Sequence, residues 1–246
     1  MRLTERVYLV GGSHDLGFGL SDELDCNVYV IDGREELALI DVGAGRGIGR
    51  IIENVRADGL RPERLKLLLL THGHADHAAG AAACHASLRL EVMASPQVAT
   101  AIEAGDEQAT GLTSAREAGL YPTDLHLDLC PVSTRLVPGE CVQVGDLSIK
   151  VVGTPGHSLG HVAFLLSGAG ESALFSGDAL FYGGKLALQA LPDCDLAASL
   201  QTVRRLAGLK FEALFPGHLA FTLSAGESHV AAAMAHIQRL AVPPSI

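Results

Sequence analysis

Thr71-His72-Gly73-His74-Ala75-Asp76-His77 places four metal-capable side chains within six residues, directly after the leucine run Leu67 to Leu70. A short run this apolar, entered from Lys66 and ending at Thr71, reads as a strand buried on both faces. His72 and His74 are two apart, so on an extended backbone both imidazoles face the same side. Asp76 and His77 enter the next helix in its first turn, and the chain folds around one point. Imidazole nitrogen with carboxylate oxygen is a donor set that suits Zn²⁺ and tolerates Fe or Mn. A polar loop with a capping aspartate and surface histidines is the plainer reading, and it does not explain this density of ligands.

Two more histidines have the same setting farther along. His157 stands in Gly153-Thr154-Pro155-Gly156-His157-Ser158-Leu159-Gly160-His161 and His218 in Phe215-Pro216-Gly217-His218, each after an apolar strand and a Pro-Gly turn. One Pro-Gly-His is weak evidence; two beside the His72 cluster reinforce one another. Asp178 follows the strand Ala173 to Ser176 at a Gly-Asp break, ordinarily only a turn, and gains its weight from this company. His161 opens an apolar strand and reads as core or as a support for the ligands. His14, His85, His126, His229 and His236 read as surface or helix-face residues.

Between these motifs the chain alternates strands and helices. Arg6 to Val10, Asn27 to Ile31, Leu37 to Val42, Arg89 to Met93, Leu147 to Val152, His161 to Leu166 and Glu212 to Phe215 have strand character. Gly45 to Asp58 carries apolar residues at helical spacing and stops before Gly59. One Ala-rich helix is expected from His77 to Ala86, and another opens at Ser95-Pro96, with Ser as N-cap and Pro at the first helical position. Further helices fall at Asp106 to Ala118, Asp195 to Leu206 and Ser228 to Leu240. Strand-rich halves interleaved with helices predict an α/β (α+β) chain, two sheets packed together with helices outside, as one domain over 1–246. Residues 94–131 form the loosest segment and read as an inserted helical cap.

The chain has 246 residues, a formal net charge of −10 and 48% hydrophobic residues, with aromatics at only 4% and no Trp. At this length about three quarters of the unfolded surface is buried on folding, so neither disulfide nor metal is needed for folding itself. The acidic balance and the lack of a basic stripe argue against nucleic acid as a partner. No segment approaches the roughly 18 consecutive apolar residues of a membrane span, and the N-terminal apolar stretch is too short for a signal sequence, so no membrane partner and a cytoplasmic location are expected. The five cysteines are widely spaced and imply no disulfide framework. Cys84 and Cys194 read as small buried apolar residues.

From Asp41-Val42-Gly43 to His218 the motifs resemble, in order, those of the metallo-β-lactamase superfamily. The resemblance implies an αββα four-layer sandwich of two mixed sheets, with a metal site at one sheet edge. It implies that His72, His74 and His157 hold one divalent metal, that Asp76, His77 and His218 hold a second, and that Asp178 bridges both. Asp41 looks like the aspartate that orients a metal-bound histidine. A complete set with bridging Asp178 resembles the glyoxalase II and lactonase branch. The β-lactamases proper lack that bridge, and β-lactam hydrolysis becomes a promiscuous alternative.

That branch implies a hydrolase with two metals, Zn²⁺ foremost, whose bridging hydroxide cleaves a small thioester, lactone or ester. Asp76 would orient the hydroxide, and no Gly-x-Ser-x-Gly elbow offers a serine nucleophile instead. Tyr182, four residues past Asp178, is a candidate donor to a developing oxyanion, as a tyrosine is in lactonase-like members. Lys185 is a candidate contact for an anionic substrate or a surface lysine in a Gly-rich turn. Tyr121 and Leu125 are candidate wall residues if 94–131 covers the pocket. Glutathione recognition is in doubt, because Arg239 and histidines are the only basic residues after His218.

Two other classes compete. Persulfide dioxygenases are similar around Thr71 to His77 and Gly177 to Leu180 but use one iron on two histidines and an aspartate. Their Gly-Cys-Gly-Arg stretch is replaced here by Gly183-Gly184-Lys185-Leu186. A metal-stabilised binding module without turnover is the third reading. Monomer and homo-oligomer are both compatible with the sequence.

Overall fold

In the computed structural model, which describes residues Met1–Ile246, the chain opens as an antiparallel meander of β1 (Val7–Gly11), β2 (Val28–Asp32) and β3 (Leu37–Ile40). There follow α1 (Ile48–Ala57), β4 (Leu65–Leu69), α2 (Ala75–Ala78), α3 (Ala81–Leu88) and β5 (Glu91–Ala94). Then come α4 (Pro96–Ala104), α5 (Leu112–Glu117) and the short β6 (Thr134–Arg135). Strands β3 to β6 pair in parallel and complete a six-stranded sheet in sequential order. The second half supplies β7 (Cys141–Val144), β8 (Leu147–Gly153), β9 (Val162–Gly168), β10 (Glu171–Gly177), α6 (Leu196–Leu206), β11 (Ala213–Pro216) and α7 (Glu227–Gln238). Its five strands run in the order β11-β10-β9-β8-β7, antiparallel except for the parallel β10–β11 pair.

The period-2 alternation of each strand sorts its side chains between two cores. In β2, Tyr29 and Ile31 face the second sheet, while Val28 and Val30 face the outer layer of α1, α3 and α4. In β9, Val162, Phe164 and Leu166 point between the sheets and Ala163 points to α6 and α7. Both faces of both sheets are thus covered, which is why these strands read as continuous apolar runs. The result is the αββα four-layer sandwich of two mixed sheets expected from the sequence. No helix is long and apolar enough to cross a membrane.

Several local readings change. The Ala-rich helix expected from His77 is two pieces, α2 and α3, with Gly80 between them. A Cβ at Gly80 would lie 2.9 Å from the Val42 carbonyl oxygen, so the backbones meet here at a distance that only glycine permits. The edge strand β7 turns Val142 and Val144 toward the core and leaves Cys141 and Gln143 exposed, so it lacks the continuous apolar run that marks the others. The 94–131 segment divides: α4 packs Val98 and Ile102 into the helix layer on the first sheet, while Thr110 to Tyr121 reaches over the metal-capable cluster. Cys84 is buried as expected, but Cys194 is only half-buried, sitting in an irregular loop where its Sγ accepts from the Gln189 N–H.

Phe164 is fully buried between the sheets. Replacing it with Ala removes a ring that rigid strands on both sides cannot close over. Phe164→Ala should destabilise the chain by about 3–5 kcal/mol, read from the urea unfolding midpoint at unchanged m-value.

Candidate metal centre

The sandwich delivers its metal-capable residues from loops at one edge. His72 and His74 follow β4, Asp76 and His77 lie in α2, His157 follows β8, Asp178 follows β10 and His218 follows β11. The Pro-Gly before His218 has a steric reason. A Cβ at Gly217 would lie 2.3 Å from Asp178 Oδ1 and 2.6 Å from the His77 ring, so only glycine lets this backbone pass the cluster. Donor atoms converge in overlapping groups, His72 with His74 and His157, His72 with His77 and Asp178, and Asp76 with His77 and His218, each within 4.8 Å.

Hydrogen bonding fixes which nitrogen faces inward. Asp41 ends β3 at a positive φ of 57°, a strained position of the kind that concentrates at functional sites. There its Oδ1 accepts from the Thr71 N–H at 2.8 Å and its Oδ2 accepts from Thr71 Oγ1 at 2.8 Å. The Thr71 hydroxyl, its one hydrogen already donated, can only accept from His72 Nδ1 at 3.0 Å. His72 Nε2 is left bare, buried and without a hydrogen-bond partner. Asp41 Oδ2 also accepts from His77 Nδ1 at 2.9 Å, leaving His77 Nε2 for the cluster.

His157 Nδ1 donates to the Ala187 carbonyl at 3.1 Å and His74 Nε2 to Asp193 Oδ2 at 3.0 Å. Their other nitrogens, His157 Nε2 and His74 Nδ1, then meet at 2.9 Å. Two lone pairs at this distance repel unless a proton or a cation lies between them. Burial pulls His157 down to about 4, which opposes the proton. A cation removes the repulsion for both rings, and the orphaned Asp178 Oδ1 supplies negative charge beside it. The donor set therefore fits a divalent metal.

The Asp76 side is more acidic. His218 Nε2 lies 2.9 Å from Asp76 Oδ2, and His218 Nδ1 donates to Asp15 Oδ2 at 3.3 Å. Burial would lower the His218 pKa, but Asp178, Asp15 and Asp76 push it up to about 10. Asp178 Oδ1 stands 3.4 Å from His77 Nε2, while its Oδ2 stands 3.5 Å from His157 Nε2 and 3.7 Å from His218 Nε2, so this carboxylate straddles the groups.

Other predicted residues find definite places. His161 is buried, with Nδ1 donating to Thr154 Oγ1 at 2.8 Å and Nε2 accepting the Asp178 N–H at 3.1 Å, so it holds the backbone that carries Asp178. Tyr121 Oη donates to Asp76 Oδ1 at 2.6 Å, and burial and that carboxylate raise the phenol well above its usual pKa. Tyr182 is the correction. Its half-exposed ring packs on His229 at 4.3 Å, held there by the Gly183 N–H donating to His229 Nδ1, and it does not line the cavity at the cluster. Leu125 packs with Ala75, Ala79 and Leu112, under the cavity wall rather than on it. Lys185 does line the cavity, as do Leu120, Leu191, Leu219 and Ile246 around a volume of about 500 Å³. Sequence reasoning missed Asp15, Asp193 and Asn27, whose Nδ2 donates to the Pro216 and Leu219 carbonyls on either side of the His218 turn.

Residues 21–218 match the family model described as the metallo-beta-lactamase superfamily. A hydroxyacylglutathione hydrolase of Dechloromonas aromatica is 31% identical over 64% of this chain and 46% of its own length. An atrochrysone carboxyl ACP thioesterase of Aspergillus fumigatus is 27% identical over 78% of this chain and 50% of its own. The chain thus spans about half the length of the curated relatives it matches. Among solved structures, BJP-1, a subclass B3 metallo-beta-lactamase of Bradyrhizobium japonicum, superposes with a TM-score of 0.72 at 21% identity, covering 98% of this chain and 92% of that one. A metallo-beta-lactamase of Cronobacter sakazakii gives a TM-score of 0.72 at 17% identity over 98% and 96% of the two chains. Family model and fold agree with the ordered ligand motifs, and the chain belongs to the metallo-beta-lactamase superfamily.

Proposed function

We propose that this chain is a dinuclear zinc hydrolase of a small thioester, lactone or ester. The observation that carries this reading is Asp178, whose carboxylate reaches both groups, with Oδ2 3.5 Å from His157 of the three-histidine group, and Oδ1 and Oδ2 3.4 and 3.7 Å from His77 and His218 of the other. A single iron on two histidines and one aspartate would leave three or more of these buried donors without a role. The relatives named hydrolase and thioesterase support the same class. The solved metallo-beta-lactamases support the fold alone.

Two divalent ions held here would lower the pKa of a water toward neutrality and polarise a carbonyl oxygen. The chain's own groups do the rest. Asp76 is anchored through Oδ1 by the Tyr121 hydroxyl, so only Oδ2 faces His218 and the centre. Leu120, Leu191, Leu219 and Ile246 offer an apolar wall to an acyl arm, and Lys185 is the one lysine or arginine lining the cavity. One lysine suits a substrate with one carboxylate better than glutathione, which carries two.

Wild-type protein should carry two zinc ions per chain and hydrolyse thioesters or lactones in a panel that also includes phosphodiesters and β-lactams. His74→Ala should lower that activity by more than about 100-fold, beyond what loss of an orienting partner costs. One iron per chain with oxygen uptake, or full activity in His74→Ala, would overturn the proposal.

Proton release should separate the two groups. Burial holds His72 and His157 below the usual histidine range, so both are neutral and ready to bind at pH 7. His218 is raised to about 10, and His77, despite its burial, is raised by Cys26, Asp76, Asp178 and Asp41. An ion entering the Asp76–His77–His218 group must displace protons, so its affinity rises with pH through the neutral range. Calorimetric titration at pH 7 in buffers of different ionisation enthalpy should show about one or more protons released at that group, and fewer at the three-histidine group.

A further inference from the structure

The cavity wall and the ligand shell are built from the same three segments. The turn His14–Leu16 brings Asp15 to the wall, and Asp15 Oδ2 accepts from His218. The chain after α5 brings Leu120 and Tyr121 to the wall, and Tyr121 donates to Asp76. The loop before α6 brings Gln189 and Leu191 to the wall, and Asp193 on the same loop accepts from His74. None of the three gripping residues lies in a strand or a regular helix. His72 and His77 are held differently, by Thr71 and Asp41 at the ends of the sheet strands.

We propose that Asp15, Tyr121 and Asp193 are positioning residues that couple the cavity wall to the metal, so that loading the centre orders these three segments and with them the substrate pocket. The inference rests on the metal-centre reading above. Each segment also has anchors away from the ligands. The Asp193 loop is tied by the Cys194 N–H to the Leu191 carbonyl and by the Asp195 N–H to the Gly156 carbonyl. The Tyr121 segment is tied by Arg116 to Glu107 and to the Leu125 carbonyl, by Arg46 to Asp124, and by Leu112 and Leu125 packing on Ala75 and Ala79. The Asp15 turn is closed by its Ser13 cap and the Gly17 N–H. Where each segment meets a donor of the centre, the link is one polar contact, Asp15 to His218, Tyr121 to Asp76 and Asp193 to His74. A metal that fixes the ligand's orientation fixes the segment, and by linkage a segment held in place favours the metal.

Hydrogen exchange with and without zinc tests this, alongside zinc affinity measured against a chromophoric chelator. Zinc should increase protection in residues 13–20, 106–125 and 188–195 and change little in β2, β8 and β9. Asp193→Ala should weaken zinc binding about 10–100-fold and abolish the zinc-dependent protection of 188–195 while leaving that of 106–125. Asp193→Asn, whose amide oxygen still accepts from His74 Nε2, should restore most of both. Tyr121→Phe should act in the same way on 106–125 alone. A purely structural role would instead lower protection equally with and without zinc. Zinc binding by the wild type with unchanged affinity and protection in Asp193→Ala and Tyr121→Phe would overturn the coupling, whereas a wild type that takes up no zinc would overturn the metal-centre reading beneath it.

Discussion

The Asp41 carboxylate, buried at the end of β3 with positive φ, is the contact on which the centre depends. It accepts three hydrogen bonds, from the Thr71 amide, the Thr71 hydroxyl and His77 Nδ1. A buried carboxylate needs such partners, since an unpaired charge away from water costs several kcal/mol. Satisfying Asp41 has a second effect that propagates. With its proton committed to Asp41, Thr71 must accept from His72, and the inward-facing Nε2 atoms of His72 and His77 follow from one side chain. The first sheet thus sets the chemistry of its own edge, because β3 and β4 are parallel neighbours and their C-terminal ends bring Asp41 and Thr71 together.

The ligands themselves were legible in the sequence because each sits beside a signal that is local. Thr71 to His77 follows a leucine strand, His157 and His218 follow Pro-Gly turns, and Asp178 breaks an apolar run. Sheet topology then needs only to bring these strand ends to one edge. The core strands were legible for a related reason, since burial on both faces leaves apolar runs at the centres of β2, β4, β9 and β10. Edge strand β7 alternates, with Val142 and Val144 inward and Cys141 and Gln143 exposed, and β6 is two residues long, so neither carries that mark.

Asp41 and His161 were legible from their motifs, whereas the orienting roles of Asp15, Asp193 and Tyr121 were not, because nothing local distinguishes them. Asp15 and Asp193 are single aspartates in polar turns, and Tyr121 reaches Asp76 across 45 residues of chain. The tyrosine at the centre illustrates the difference. Tyr182 is four residues from Asp178 in sequence, yet the backbone after Asp178 turns so that its ring lands on His229. Nearness along the chain fixes side-chain position within a strand or helix; in a Gly-Gly turn it does not. The length of 94–131 was visible, but its division into a layer helix and a covering segment depends on α4 finding an apolar surface on β5.

These observations divide the centre into a rigid half and a loop-borne half. The rigid half reaches into the sandwich core. Tyr29, packed edge-on against Phe175 at 5.4 Å, donates its hydroxyl to the Pro216 carbonyl at 2.8 Å, and Asn27 holds both sides of the same turn. The His218 backbone is therefore pinned from β2 of the opposite sheet, so the inter-sheet packing that stabilises the fold also fixes where that ligand begins. Its ring is steered by Asp15, which belongs to no sheet. A pinned backbone with a loop-steered side chain keeps the origin of this ligand constant while its ring follows the wall, and substitutions in the wall segments can reshape the pocket without disturbing the core that holds the ligands' backbones in place.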